Sequence, residues 1–287
     1  MSVAAISLAP ADLKYVADLV FREAAIVLDD KKSYLVEARL TQLARDLSLK
    51  DYNELIGQLR SKSTSQLVAR VVDAMTTNET FFFRDAHFYE ALKTTIIPEL
   101  MKKRAATKTL RMWCAACSTG QEPYSLAMMM QSTFPELRSW QVKLIASDIS
   151  ETVLKTARNG MYNPLEINRG LPVALRDRFF TSEGANWVAK AELKQWMEFK
   201  QVNLKAPFAG MGNLDLIFVR NVLIYFNVET KKEILEKMTK LLQPDGVVFL
   251  GASETATGVT EQIERKRFAD TYAYVLKTQA STAGAKK

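Results

Sequence analysis

Between residues 88 and 250, short apolar runs alternate with segments of helical periodicity. The predicted strands cover residues 110–115, 141–147, 214–219 and 247–250. The predicted helices cover residues 88–104, 124–134, 151–158 and 228–242. Because strands that alternate with helices pair side by side in parallel, this order predicts an α/β fold with a doubly wound, Rossmann-like sheet.

The first part of the chain has helical periodicity only. Four apolar stripes have the spacing of one helix face: Leu13, Val16, Val20 and Phe21; Leu35, Leu43 and Leu47; Tyr52, Leu55, Ile56 and Leu59; Leu67, Val68, Val71, Val72 and Met75. Ser63 or Thr64 can cap the fourth helix. We therefore expect an all-α domain at residues 1–76, a linker at 77–87 and the sheet domain at 88–278.

Two segments depart from the alternation. Residues 176–200 combine Gly184, Trp187 and Trp196 with short strand-like pieces, which predicts a small β-subdomain inserted in the sheet domain. Residues 267–276 are typical of an antiparallel pair that closes the sheet. The small and polar residues 279–287 predict a flexible tail.

The reactive residue types are scarce. The chain has two cysteines, Cys114 and Cys117, and one histidine, His87. A structural zinc site needs four Cys or His ligands, so no metal is expected, and a Ser-His-Asp triad would depend on His87 alone. The Cys-x-x-Cys spacing suits either a redox pair or two small buried thiols, and we favour the thiols.

The charge and hydropathy limit the partners and the location. The formal charge is +7, which suits nucleic acid, an anionic membrane or an acidic protein partner, and the dispersed basic residues disfavour nucleic acid. No apolar run approaches the roughly 18 residues of a membrane span, and residues 1–10 do not resemble a secretory signal. We expect a cytoplasmic protein without membrane insertion.

A polar segment with three consecutive phenylalanines connects the two predicted domains. It runs from residue 76 to residue 84 and carries Asn78, Thr80 and Arg84 around the aromatic run. One interpretation is a linker anchored by the aromatic rings. The other is a binding segment whose polar side chains point into a cleft that the rings close off.

Polar residues also follow the predicted strands. Ligands of doubly wound sheets bind at the carboxyl ends of the strands. The loop after residue 115 holds one glycine, Gly120, and so lacks the dinucleotide-binding glycine pattern. Glu122 would repel phosphate and suit the cationic sulfonium of S-adenosylmethionine or its hydroxyls. Asp148 could accept ribose hydroxyls or cap the next helix.

The strand at residues 214–219 ends in a second polar group. Arg220 and Asn221 follow it directly, and Tyr225 comes after a short turn. A polar pair at a strand's carboxyl end favours a site over a core position. Asn203 could reach the same crevice or could lie in a solvated turn.

Taken together, these segments resemble the CheR-type glutamate O-methyltransferases of chemotaxis receptors. The matching stretches are residues 77–84, 116–124, 146–149, 202–204 and 219–226. The resemblance implies an S-adenosylmethionine-dependent enzyme that forms glutamate methyl esters and S-adenosylhomocysteine for sensory adaptation. The implied cofactor contacts are Asn78, Thr80, Arg84, Glu122, Asp148, Asn203, Leu204, Arg220 and Asn221. Arg84 and Tyr225 would also face the reacting groups, while Phe83 makes the aromatic run longer than in some relatives.

The resemblance also implies the partners, which are the cytoplasmic signalling domains of chemotaxis receptors. We expect a monomer whose basic helical residues steer it toward glutamate-bearing receptor helices: Lys31, Lys32, Arg39, Arg45 and Lys50. The short stretch around Gly184 predicts an enzyme that does not need a receptor's C-terminal peptide. The alternatives are a non-catalytic regulator that binds S-adenosylmethionine and a nicotinamide-dependent oxidoreductase, which the missing glycine pattern disfavours.

Overall fold

A computed structural model describes residues 8–29, 31 and 33–277 of the chain. Its first part consists of four helices: α1 (Pro10–Ala24), α2 (Ser33–Asp46), α3 (Tyr52–Ser61) and α4 (Ser65–Met75). The Asp51 side chain caps α3, and Thr64, one of the two predicted caps, accepts the amide of Leu67 at the start of α4. The apolar stripes converge on one core around Val16, Leu40 and Leu55. The predicted all-α N-terminal region is confirmed.

The helix predicted at residues 88–104 is divided into three pieces. It comprises α5 (Ala86–Ala91), a π-helical turn (Leu92–Ile96) and α6 (Ile97–Lys103). Pro98 lies in the first turn of α6 and has no amide hydrogen. The α-helical hydrogen-bond ladder cannot continue through it, and the wider turn precedes it.

A seven-stranded mixed sheet forms the centre of the second part, in the order β6-β2-β1-β7-β8-β10-β9. Its strands are β1 (Thr109–Ala115), β2 (Gln141–Asp148), β6 (Met197–Gln201), β7 (Leu214–Val219), β8 (Leu242–Leu250), β9 (Ile263–Phe268) and β10 (Thr271–Leu276). The first five strands in this order pair in parallel, and the β9–β10 hairpin pairs antiparallel. The predicted Rossmann-like fold and terminal antiparallel pair are confirmed.

Helices cover both faces of this sheet. They include α7 (Gln121–Thr133), α8 (Glu151–Asn159) and α12 (Val228–Thr239). The central strands β1, β2 and β7 are largely apolar because two hydrophobic cores bury them, one around Phe88 and Phe218 and the other around Trp113 and Ile234.

The Pro-Asp-Gly sequence at residues 244–246 is typical of a turn between the predicted helix and strand, but it forms no turn. These residues lie inside β8, which begins at Leu242, and α12 ends three residues earlier than predicted, at Thr239. The pairing of β8 with β7 shifts register between Leu214 and Leu216, so the segment is accommodated as a bulge. A Cβ atom at Gly246 would lie 2.8 Å from the Leu242 side chain, which explains the glycine there.

The predicted β insertion at residues 176–200 contributes strands to two sheets. A small antiparallel sheet, ordered β3-β5-β4, contains β3 (Met161–Tyr162), β4 (Phe180–Glu183) and β5 (Asn186–Ala189). Short helices α9 (Pro164–Ile167), α10 (Val173–Phe179) and α11 (Ala191–Lys194) flank it. Residues 197–201 instead form β6, the parallel edge strand beside β2, so they differ from the prediction. The tail predicted at residues 279–287 lies outside the described residues.

Candidate cofactor and substrate cleft

A cleft of about 980 Å³ opens at the carboxyl ends of β1, β2 and β7. All ten residues predicted from the sequence line this one cleft: Asn78, Thr80, Arg84, Glu122, Asp148, Asn203, Leu204, Arg220, Asn221 and Tyr225. The fold thus brings together residues that are up to 147 positions apart in the chain, from Asn78 to Tyr225.

The end of α1 forms one wall of the cleft, which the sequence analysis did not foresee. Ala24 and Ile26 line it, and the Val27 amide donates to the Tyr225 carbonyl at 2.9 Å. The Asn203 side-chain amide donates to the Glu23 carbonyl at 2.7 Å, and its oxygen accepts the Lys205 amide. Asn203 therefore fastens the helical domain to the sheet domain at the rim of the cleft.

Only one of the three phenylalanines in the connecting segment lines the cleft. Phe81 does so, whereas Phe82 is fully buried against Tyr162 and Phe180, with ring centroids 5.1 and 5.8 Å away. Phe83 packs on Tyr89 and donates its amide to the Ser125 hydroxyl. Each of the two interpretations describes part of the segment. The rings of Phe82 and Phe83 anchor it to the sheet domain, and the ring of Phe81 lines the cleft.

The Phe81 ring lies between two guanidinium groups. Arg84 and Arg169 have their guanidinium carbons 5.5 and 4.6 Å from the ring centroid. Arg169, in the loop after α9, also forms a 2.7 Å ion pair with Glu79, and this contact lowers the pKa of that carboxyl. Arg84 donates to the Glu79 carbonyl at 3.4 Å. The half-buried Arg84 is thus held at the opening of the cleft, and most of its five N–H donors remain available to a ligand.

Asp148 ends β2 inside the cleft and is buried. One of its carboxylate oxygens accepts the Ser118 amide at 2.9 Å, and the other accepts the Ser150 amide at 3.0 Å. Burial raises its pKa, although these backbone donors oppose the shift. The alternative role as helix cap is wrong, because the Ser150 hydroxyl caps α8 by accepting the Val153 amide.

A buried ion cluster forms the floor of the cleft. The Arg220 guanidinium, whose side chain is 2% exposed, donates to the carboxylates of Glu122 and Asp85 and stacks 4.2 Å over the Phe88 ring. It also donates to the Arg84 carbonyl at 3.1 Å. Arg220 is therefore engaged by protein groups and holds Glu122 and Arg84 in place. Asp85 was not predicted from the sequence, where its only distinguishing feature is that it directly follows Arg84.

The turn after β7 is held from outside the cleft. Asn221 has a left-handed backbone with φ of 60°, and its amide donates to Glu254 at 2.7 Å. The sequence analysis missed Glu254. Glu254 lies in the loop after β8, four residues beyond Leu250, whereas Asp148 is the last residue of β2, so finding Glu254 would have required a search of the whole loop and not of the strand end alone.

The glycine in the first loop serves packing. Gly120 has φ of 97°, and a Cβ there would lie 3.0 Å from the Ala157 Cβ on α8. Gly120 is the N-cap residue of α7, which begins at Gln121, three residues before the predicted start. Cys114 and Cys117 are free and buried, and burial raises the pKa of both thiols, so the interpretation as buried thiols is confirmed.

Two further findings concern metal and membrane. Among residues 8–29, 31 and 33–277, no group of three or more His, Cys, Asp or Glu side chains is arranged to hold a metal ion. No helix in that described part of the chain has both the length and the apolar character required to cross a bilayer.

Comparison with known families agrees with this geometry. Residues 78–272 match the family described as the CheR methyltransferase SAM-binding domain, and residues 11–76 match the CheR methyltransferase all-alpha domain. The chain belongs to the CheR family of chemotaxis methyltransferases. Its sheet domain is thus a methyltransferase domain that binds S-adenosylmethionine, and the predicted family and cofactor are confirmed.

Curated relatives match over nearly their whole length. The chemotaxis protein methyltransferase Cher2 of Pseudomonas putida is 40% identical over 252 residues, which are 85% of this chain and 91% of that protein. Chemotaxis protein methyltransferase 1 of Pseudomonas aeruginosa is 38% identical over 90% of this chain and 95% of its own. A chemotaxis protein methyltransferase of Vibrio parahaemolyticus is 38% identical over 89% and 93%, respectively.

Proposed function

We propose that the protein methylates glutamate side chains in the cytoplasmic signalling domains of chemotaxis receptors, as a cytoplasmic monomer. The observation that carries this proposal is a single cleft that combines an acidic side, half-buried Glu122 and buried Asp148, with Arg84 and Tyr225. The products are a glutamate methyl ester and S-adenosylhomocysteine.

The charges of the cleft fit a cationic methyl donor. Three acidic side chains line it, Glu79, Glu122 and Asp148, against two basic ones, Arg84 and Arg220. Arg220 is paired with Glu122 and Asp85, and Glu79 is paired with Arg169, so the acidic excess of the cleft comes from Asp148 together with the second carboxylate on Arg220. Unlike a phosphate site, such a lining attracts a sulfonium, and Asp148 at a strand end has the position that commonly serves ribose hydroxyls.

The acceptor chemistry suits the residue types present. A glutamate carboxylate has a pKa of about 4.3 and is already ionised near neutral pH, so it needs no general base. When bound, S-adenosylmethionine supplies a methyl group on a positively charged sulfur. The task of the protein is to exclude water and to align the acceptor oxygen, and alignment can contribute about 7–11 kcal/mol in favourable cases.

Arg84 and Tyr225 are assigned to the acceptor. The Arg84 guanidinium orients the carboxylate through its planar fork, while stacking on Phe81 limits its rotation. A fully paired carboxylate would lose nucleophilicity, so the role of Arg84 is positioning in contact with substrate. Tyr225 donates a hydrogen bond to the acceptor or walls the methyl group, and the bond from Val27 fixes its backbone.

The test is transfer of labelled methyl from S-adenosylmethionine to receptor-containing membranes. We expect label that mild base releases, as a carboxyl methyl ester requires, and no incorporation when the methylatable glutamates are replaced by alanine. Arg84→Ala should abolish most of the transfer. Base-stable label would contradict the proposed ester, and tight cofactor binding without any transfer would support the non-catalytic alternative.

Receptor recognition is proposed to use the helical domain directly. Lys31, Arg45 and Lys50 are exposed there, and Lys32 lies outside the described residues. Arg39 was assigned to this surface, but it is half-buried and donates to the Met75 carbonyl and the Thr77 hydroxyl. The other exposed lysines and arginine therefore carry the proposed steering.

We also propose independence from a receptor's C-terminal peptide. The hairpin between β4 and β5 has a two-residue turn, Gly184 and Ala185, which leaves little room to enclose an added strand. Titration with peptides copied from receptor C-termini should give no saturable binding. Saturable binding that is lost on altering Trp187 or Gly184 would assign the β-subdomain a docking role instead.

A further inference from the structure

Two loops meet beside the cleft at the carboxyl ends of β7 and β8. The first, residues 220–225, carries Asn221 and Tyr225, which line the cleft. The second, residues 251–254, lies next to it but lines a separate cavity. The side chain that joins them is Glu254.

The Glu254 carboxylate accepts three backbone amides. One oxygen accepts Asn221 and Gly251, each at 2.7 Å, and the other accepts Ile224 at 3.3 Å. Two of these donors belong to the loop with Asn221 and Tyr225, and the third belongs to the loop of Glu254 itself. Hydrogen bonds to an ionised acceptor are shorter and stronger than neutral ones, so one side chain fixes both loops.

The backbone around this carboxylate has little freedom to find another arrangement. Asn221 has φ of 60°, a conformation that non-glycine residues adopt at a cost. A Cβ at Gly251 would lie 2.8 Å from the Asn221 nitrogen and from the Glu254 oxygen. The Glu254 carboxylate, which both amides share, therefore holds Asn221 with its left-handed backbone against Gly251.

We propose that Glu254 is a positioning residue of the methyltransferase, which holds Asn221 and Tyr225 at the cofactor and acceptor. It acts through the backbone of the 220–225 loop and touches neither reactant. The proposal rests on the proposed function for its effect on turnover, but its effect on the binding of S-adenosylhomocysteine depends on the cleft alone.

The variants Glu254→Ala and Glu254→Gln separate positioning from folding. Alanine removes all three acceptor contacts, and a displacement of about 1 Å can cost about 100-fold in rate, so we expect kcat to fall roughly 100-fold. Glutamine can keep its oxygen on the Asn221 and Gly251 amides and loses mainly the longer Ile224 contact. We expect it to restore most of the rate. The dissociation constant of S-adenosylhomocysteine, measured by calorimetry, should rise about tenfold in the alanine variant, because a displaced Asn221 loses roughly one hydrogen bond to the ligand.

Glu264→Ala is the matched control, since Glu264 is an exposed residue on β9. It should leave kcat and the dissociation constant unchanged. A folded Glu254→Ala protein with wild-type values of both would overturn the proposal. A wild-type enzyme that binds S-adenosylhomocysteine in a Glu254-dependent way but transfers no methyl to receptors would remove the proposed function and leave the positioning role intact.

Hydrogen exchange decides the matter if the alanine variant does not fold. In the wild-type protein the amides of Asn221 and Ile224 should exchange slowly, although they lie in a loop. Exchange of both at the rate of an exposed loop would show that the carboxylate does not hold them, and the proposal would fall.

Discussion

Removal of the Asp148 carboxylate is expected to weaken cofactor binding and also to lower the stability of the fold, because two buried backbone amides lose their acceptor. Asp148 already satisfies the amides of Ser118 and Ser150 and retains acceptor capacity on both oxygens for two ribose hydroxyls. Hydrogen bonds to a charged group contribute about 1.5–3 kcal/mol. Water that enters the site and relaxation of its neighbours offset part of the lost binding free energy of the two hydrogen bonds. We therefore expect Asp148→Ala to weaken cofactor binding by about 2–3 kcal/mol, or roughly 30- to 150-fold in dissociation constant.

The pH dependence of binding gives an independent check. Burial raises the pKa of Asp148 above its ordinary value, so the folded chain takes up a proton there more readily than the unfolded chain. The ligand-free fold therefore gains relative stability from this group below the ordinary pKa and loses it as pH rises through the raised pKa. The affinity for the cofactor depends on pH in the opposite direction, because the ribose hydroxyls donate to the ionised carboxylate. This affinity should therefore decrease as acidification through the raised pKa protonates Asp148.

The assay is calorimetric titration with S-adenosylhomocysteine at several pH values. Wild type should lose affinity on acidification, whereas Asp148→Ala should start weak and lack this dependence. Asp177→Asn, a change at an exposed aspartate on α10, is the control and should behave as wild type. Wild-type affinity in a folded Asp148→Ala protein would refute the assignment to ribose.

Three further changes test other parts of the structure. Arg84→Lys keeps the charge but loses the planar fork, so kcat should fall about 10- to 100-fold with a near-wild-type melting temperature; unchanged methyl transfer would restore the linker interpretation. Arg220→Met leaves Glu122 buried without its cation, and chemical denaturation should show a loss of about 3 kcal/mol in unfolding free energy. Arg104→Ala should cost about 2 kcal/mol at neutral pH with kcat preserved, since Arg104 pairs with Asp245 away from the cleft. Arg104 lowers the pKa of Asp245, so this stabilisation should shrink as pH falls below the ordinary carboxyl pKa, and a pH-independent difference would contradict the ion-pair account.

The residues that line the cleft could be predicted because strand ends are a local feature of the sequence. Asp148 ends one buried strand, Arg220 and Asn221 follow another, and parallel strands bring their carboxyl ends to one edge. Neither inference needs the order of strands in the sheet. Glu254 lies four residues beyond the end of β8, so the strand end alone did not indicate it.

The errors concern features that depend on contacts distant in sequence. Residues 197–201 alternate in character as a hairpin strand would, and nothing local reveals that they pair with β2. Phe82 and Phe83 follow Phe81 and are chemically identical to it, yet the fold packs each of them against different side chains away from the cleft. Arg39 was predicted to face solvent, but its guanidinium donates a hydrogen bond to the carbonyl of Met75, the last residue of α4.

The cleft exists only where the two domains meet, and this links cofactor binding to their docking. Three hydrogen bonds connect the two sides at residues that line the cleft: Asn203 to Glu23, Val27 to Tyr225, and Ser118 to Asn78. Two more lie outside its lining, Lys205 to Arg22 and Thr152 to Asp73. A ligand that fills the cleft touches both sides, so it must stabilise the docked arrangement by the free energy of its binding. The sheet supplies the acidic side of the site, but the helical domain and its connecting segment supply Arg84 and close the wall.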